Sequence, residues 1–145
     1  MKKNINIIAY FMVAIAFAVT IASCNKEEDE MEPPTISFKT GGSYTSADAS
    51  LTAGSALVIG IEAEKSEAEG EDEDVLKHFN ISRSLNGGAT TSVYDVDLGA
   101  AEEELYEYDF NTNVSTTVGD TEKYTFTISN RDGLTGQVSL TITAQ

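Results

Sequence analysis

Histidine, tryptophan, cysteine and proline are all scarce in this chain, whose 145 residues include one His, no Trp, one Cys and two Pro. A Ser-His-Asp or Cys-His nucleophile system needs an imidazole base, and the single candidate is His78, which beside Lys77 suits a surface polar role better. Zinc would need three or four His or Cys ligands, more than the chain supplies. A lone cysteine leaves no partner for an intramolecular disulfide. Basic residues are few as well: 9 Lys plus Arg stand against 24 Asp plus Glu, a formal charge of −15. Nucleic acid and anionic lipid headgroups are poor partners for such a surface. No amphipathic helix follows a Gly-rich loop, which removes the usual phosphate cradle. The length suits one hydrophobic core and leaves no room for a second domain with a cleft between.

What is present begins with an address. Lys2 and Lys3 precede an apolar run from Ile7 to Ala22, the layout of a signal peptide. The run is shorter than the ~20 residues a permanent spanning helix needs. It ends Ile21, Ala22, Ser23, Cys24, which resembles the bacterial lipobox. That resemblance implies cleavage after Ser23 and a diacylglycerol on Cys24. Acylation would also remove a free thiol from an oxidising envelope, and several acyl chains together give stable attachment to the membrane. Without Lys2 and Lys3 the acidic excess is 24 against seven, or −17.

Residue 25 is Asn, and the segment from Lys26 to Pro34 is dominated by Glu and Asp before ending in two prolines. It resembles the acidic export signal that follows the lipidated cysteine in surface lipoproteins of Bacteroidota-type bacteria. Its composition also reads as a solvated, extended tether. The division expected is a lipoprotein signal peptide over 1–23, an acidic tether over 24–34 and a folded domain over 35–145. The resemblance implies an outer-membrane, lipid-anchored protein exposed at the cell surface, with a periplasm-facing orientation as the alternative.

From Thr35 onward apolar residues alternate with polar ones, the period of half-buried strands. Ile36 and Phe38 mark a first strand; Leu57, Ile59, Ile61 and Ala63 a second; Phe79 and Ile81 a third, ending at Asn86-Gly87-Gly88. Tyr94, Val96 and Leu98 follow, then Tyr106, Tyr108 and Phe110, then Tyr124, Phe126 and Ile128, and last Val138, Leu140 and Ile142. About seven such strands predict an all-β, antiparallel β-sandwich. Asp120, Tyr124 and Phe126 resemble the immunoglobulin-type pattern of an Asp four residues before a corner tyrosine, itself two before the core cysteine, with Phe126 in the cysteine's place. That resemblance implies an immunoglobulin-like fold without its disulfide and with Tyr124, its hydroxyl buried, as the corner; the alternative is that Tyr124 is simply a core aromatic.

The alternation also sorts the outward side chains. With the fourth strand assigned to the sheet of the second and fifth, that sheet shows Glu62, Glu64, Asp95, Asp97, Glu107 and Asp109 to solvent; paired instead at the edge of the other sheet, the fourth strand would carry Asp95 and Asp97 there. The other shows Asn80, Ser82, Ser84, Lys123, Thr125, Thr127, Ser129, Ser139, Thr141 and Thr143, with no acid among them. Hydroxyls are ordinary on a solvated strand face. On a self-repelling protein an uncharged flat face is also where a partner docks, and Asn80, Ser82, Thr125, Thr127, Ser139, Thr141 and Thr143 are the candidate contact residues.

The expected function is therefore a non-enzymatic binding or adhesion module of the cell envelope, with an unknown protein or glycan as partner and no cofactor. One rival is a calcium-dependent glycan-binding module. Connectivity brings the loops 66–75, 99–104 and 130–136 to one end, with Glu69, Glu71, Asp72, Asp74, Glu103 and Asp132 as candidate ligands for a hard cation. The chain has no Asp-x-Asp-x-Asp-Gly spacing, and screening by salt over ~8 Å would relieve the same repulsion. A second rival, a hydrolase using two loop carboxylates, lacks the sign of a desolvating pocket.

Overall fold

The computed structural model describes residues 32–66 and 74–145. The segment expected to be a signal peptide, Cys24, most of the expected tether, and Glu69, Glu71 and Asp72 lie outside them. Alternation of β-branched and aromatic residues with polar ones produces strands β1 (Thr35–Phe38), β2 (Ala49–Leu51), β3 (Ala56–Glu64), β4 (Leu76–Leu85), β5 (Thr90–Asp97), β6 (Leu105–Asn113), β7 (Thr121–Asn130) and β8 (Thr135–Ala144). A single 3-10 turn, Ala100–Glu102, links β5 to β6.

Two sheets pack face to face. One has the order β1-β3-β6 and the other β2-β8-β7-β4-β5. All pairings are antiparallel except β2 with β8, which run parallel. In immunoglobulin terms the smaller sheet holds strands A, B and E, and the larger adds a C′ strand to C, F and G. The architecture is thus an all-β, immunoglobulin-like sandwich, and among the described residues no D strand extends β6.

Two expectations change. The short β2 makes an eighth strand, too brief to leave a periodic signal. Strand β5, expected beside the second and fifth strands of the sequence reading, pairs instead with β4. The reason is the turn: Asn86 and Gly87 both take positive φ, 52° and 69°, the conformation of a tight hairpin whose two central residues return the chain alongside its predecessor. No chain length remains to cross to the other sheet. Asp95 and Asp97 move with β5.

The inward positions form one core. Leu57, Ile59, Ile61, Phe79, Ile81, Phe126, Ile128 and Ile142 are at most 1% exposed. Phe126 meets Phe38 edge-on at 5.7 Å, Phe110 at 6.2 Å and Phe79 at 6.5 Å. An aromatic cluster bridges the sheets at the position where a disulfide would cross in an antibody domain. Along the open side between β5 and β6 a second cluster closes the gap, with Tyr94 stacked on Tyr108 at 4.5 Å and Phe79 against Tyr106 at 5.1 Å. Burial, then the neighbouring Tyr94, pushes the phenols of Tyr106 and Tyr108 upward.

The corner reading of Tyr124 is corrected. Its hydroxyl donates to Glu122 Oε1 at 3.2 Å, a side chain and not backbone. Glu122 occupies an inward position at 2% exposure, where it also accepts from Arg83 Nη1 at 3.2 Å and from the Ser115 amide at 2.9 Å. Asp120 serves a different purpose, accepting from Asn86 Nδ2 at 2.8 Å and Ser115 Oγ at 2.6 Å. These bonds hold the carboxyl of Asp120 below the usual carboxylate range and tie the β4–β5 turn to the start of β7.

Candidate functional site: a hydroxyl face and an acidic rim

Side chains of the larger sheet alternate between core and solvent, so register alone decides which of them share the outer face. Asn80 lies opposite Thr127, which lies opposite Gln137; Ser82 lies opposite Thr125, which lies opposite Ser139; Ser84 lies opposite Lys123, which lies opposite Thr141. Thr121 and Thr143 continue the pattern, and Ser50 of β2 pairs with Thr143 at the sheet edge. The structure therefore brings together all seven candidate contact residues, Asn80, Ser82, Thr125, Thr127, Ser139, Thr141 and Thr143, on one surface. Across β8, β7 and β4 the only full charge on this surface in the central rows is Lys123.

Local bonds hold the grid in place. Gln137 Nε2 donates to Thr127 Oγ1 at 2.8 Å, and Asn80 Nδ2 donates to Ser92 Oγ at 2.7 Å and to the Tyr94 carbonyl at 3.0 Å. Asp48, just before β2 begins, accepts from the Thr141 amide at 2.7 Å at the edge of β8. Beside that bond, Asp48, Ala49, Ser50, Thr141 and Thr143 line a shallow depression of about 250 Å³. Threonine is stiff at χ1, so such a surface loses little side-chain entropy when covered.

The segregation of acids is narrower than the sequence implied. Because β5 belongs to this sheet, Asp95 and Asp97 sit at its far edge. His78 lies between them, Nε2 at 2.8 Å from Asp95 and Nδ1 at 2.9 Å from Asp97. Asp95 and Asp97 bring acids to this corner, while Lys123 is the charged residue in the central rows.

The opposite sheet is acidic. Glu62, Glu64, Glu107 and Asp109 face outward, and Lys39 reaches Glu107 at 2.8 Å and Asp109 at 3.1 Å. Tyr44 lies half-buried over Gly60 and donates to Asp109 at 2.9 Å. Glu107 first, then Asp109, pushes the Lys39 ammonium far up, while Lys39 and Tyr44 hold the Asp109 carboxyl low.

The three acidic connections do meet at one end: the Lys65 amide donates to the Glu104 carbonyl at 3.0 Å, Leu76 to Glu103 at 2.8 Å and Arg131 to Val75 at 3.0 Å. Of the six candidate ligands, Asp74, Glu103 and Asp132 lie among the described residues. Glu69, Glu71 and Asp72 fall outside the described residues. Asp74 is 6% exposed and accepts from Ser66 Oγ at 2.7 Å and the Val75 amide at 2.8 Å. Burial pushes that carboxyl up, but the bonds from Ser66, Asn130 and the backbone outweigh it and leave it low. Glu103 is paired with Lys77. Asp132 is exposed in a turn shaped by Asn130, whose Oδ1 accepts from the Asp132 and Leu134 amides. Among the described residues no three His, Cys, Asp or Glu side chains form a group that could hold a metal ion.

No protein-family model and no curated protein matches the chain. Among solved structures, a superoxide reductase (neelaredoxin) from Ignicoccus hospitalis superposes with a TM-score of 0.54 at 8% identity, covering 79% of this chain and 82% of that one. The likeness is one of fold alone. A CARDB domain from Pyrococcus furiosus is more distant, with a TM-score of 0.41 at 13% identity over 76% of this chain and 88% of that one. Residue chemistry and surface therefore have to carry the functional argument.

Proposed function

We propose that this protein is a non-enzymatic binding or adhesion module of a bacterial envelope, anchored in the outer membrane through an acylated Cys24, with the outer face of the larger sheet as its docking surface. The supporting observation is the grid of Ser, Thr, Asn and Gln over β8, β7 and β4 on a chain whose formal charge is −15. Self-repulsion keeps acidic surfaces of two such molecules apart, whereas a neutral, flat patch meets a partner without desolvating charge. The partner is a protein or glycan at the cell surface.

The test is capture on intact producing cells by the wild-type chain and by Thr127→Glu. A carboxylate at the centre of the grid would be desolvated by any partner seated there, so capture should be lost. Stability should stay within about 0.5 kcal/mol, because the position is on the solvent side of the sheet. Undiminished capture by the variant rules out this face. The anchor is tested separately by intact mass, which should begin at Cys24 with its acyl chains; a chain beginning at Met1, or an unmodified cysteine, removes it.

A further inference from the structure

Strand β6 ends the smaller sheet, and pairing parity fixes where its backbone groups point. Lys39 N donates to the Gly60 carbonyl and Thr45 N to that of Val58, so the even-numbered residues of β3 serve its β1 side and the odd-numbered ones serve β6. Opposite Leu57, Ile59, Ile61 and Ala63 stand Thr112, Phe110, Tyr108 and Tyr106. The N–H and C=O groups of Glu107, Asp109 and Asn111 are consequently directed away from the sheet. Among the described residues no strand pairs with this edge, and the Asp109 carbonyl is met only by Asn111 Nδ2 at 2.9 Å.

Edge strands are commonly blunted by bulges. Strand β5, the edge of the other sheet, has such an irregularity opposite Ile81 and Ser82. Strand β6 pairs with β3 over nine residues in unbroken register. Its protection is charge, through Glu107 and Asp109 facing outward beside Glu62 and Glu64. Charge excludes some strands and admits others. A second copy would set its own Glu107 and Asp109 beside these, and residues 27–32 and 67–73 are acidic in sequence. On the inner side an added strand would lie over the Tyr94–Tyr108 stack, which favours apolar side chains at alternate positions.

We propose that the free edge of β6 accepts an extended partner segment in which Lys or Arg alternates with apolar residues, adding a strand where an immunoglobulin domain has strand D. This site lies on the sheet opposite the hydroxyl face, so the two stand or fall separately.

The probe is a synthetic peptide alternating lysine and valine, added to the isotopically labelled full chain. Amide hydrogen exchange at Glu107, Asp109 and Asn111 should slow by at least about tenfold at saturation. Two further peptides keep every charge but are N-methylated on one or the other alternate set of residues. A strand uses only one set of its amides toward its neighbour, so one methylated peptide should bind at least about tenfold more weakly and the other should bind like the parent. A peptide alternating glutamate and valine should not bind. Absence of binding by the parent peptide, equal binding by both methylated forms, or unaltered exchange at β6 would each overturn the proposal, the last two by showing attraction through charge alone.

Discussion

Glu122 holds a carboxylate at 2% exposure, in register with Leu85 and Ile142, and three donors account for its stability there: Arg83, Tyr124 and the Ser115 amide. Arg83 itself is 40% exposed at its side chain, so removing it costs less than breaking a fully dry pair. Arg83→Leu should destabilise by about 2–3 kcal/mol in denaturant unfolding, below the ~3–5 kcal/mol of a fully buried ion pair. Tyr124→Phe should cost about 1 kcal/mol, and that cost should vanish in a Glu122→Leu background, whereas a tyrosine corner bonded to backbone would keep it. The acid at Asp74 makes a pH prediction. Its folded pKa lies below the unfolded value of ~3.9, so its stabilisation is complete above about pH 4 and is lost as pH falls through the folded value. Asp74→Asn should cost about 1–3 kcal/mol at neutral pH and flatten the acid limb below about pH 4. Unfolding curves at several pH values check both; an unchanged limb would assign acid sensitivity to other carboxylates. Core residues such as Ile59, Phe79 and Phe126 were legible because apolar alternation reports burial directly. Arg83 and Glu122 were not, since charged residues on inward positions reveal themselves only when two strands 39 residues apart are in register.

Elements are positioned by close approaches that a single methyl group can disturb. Gly136 of β8 faces inward, where a Cβ would collide with the Pro34 carbonyl and press on Ile128 Cγ2 at 3.2 Å. Backbone cannot swing aside, and Gly136→Ala should cost about 1–3 kcal/mol. At Gly60 a Cβ would stand 2.8 Å from Tyr44 Cε1 and 2.9 Å from Lys39 Cδ, both in side chains with freedom to move. Gly60→Ala should therefore cost less, about 1 kcal/mol or below, while releasing Tyr44 from Asp109. Thermal melts of the two variants compare them; a larger loss at Gly60 would contradict this ranking. The sheet assignment of β5 illustrates what periodicity omits. Alternation in Tyr94, Val96 and Leu98 shows which face turns inward, but both sheets offer an inward face. Only the hairpin at Asn86-Gly87 chooses between them; Asn-Gly is a hairpin signal that alternation alone does not weigh, and its positive φ angles pair β5 with β4.

At the scale of the molecule, the two sheets present opposite surfaces. The smaller carries Glu62, Glu64, Glu107 and Asp109 with Lys39, and the larger carries hydroxyls and amides with charge confined to Lys123 and to the His78 corner. The sequence made the hydroxyl face legible strand by strand, because Ser and Thr recur at every second position. The placement of Asp95 and Asp97 at its edge required the sheet order. A protein tethered through Cys24 would meet surface partners with either sheet, and the account assigns the primary contact to the larger one. The most direct measurement is site-specific photo-crosslinking on intact producing cells, with the crosslinker at Thr141 on the hydroxyl face or at Glu62 on the acidic face. A discrete adduct is expected from position 141 that disappears when Thr127→Glu is combined with it, while the pattern from position 62 is the same with and without Thr127→Glu. No adduct from position 141, or an adduct at 141 that survives Thr127→Glu, would contradict docking on the hydroxyl face.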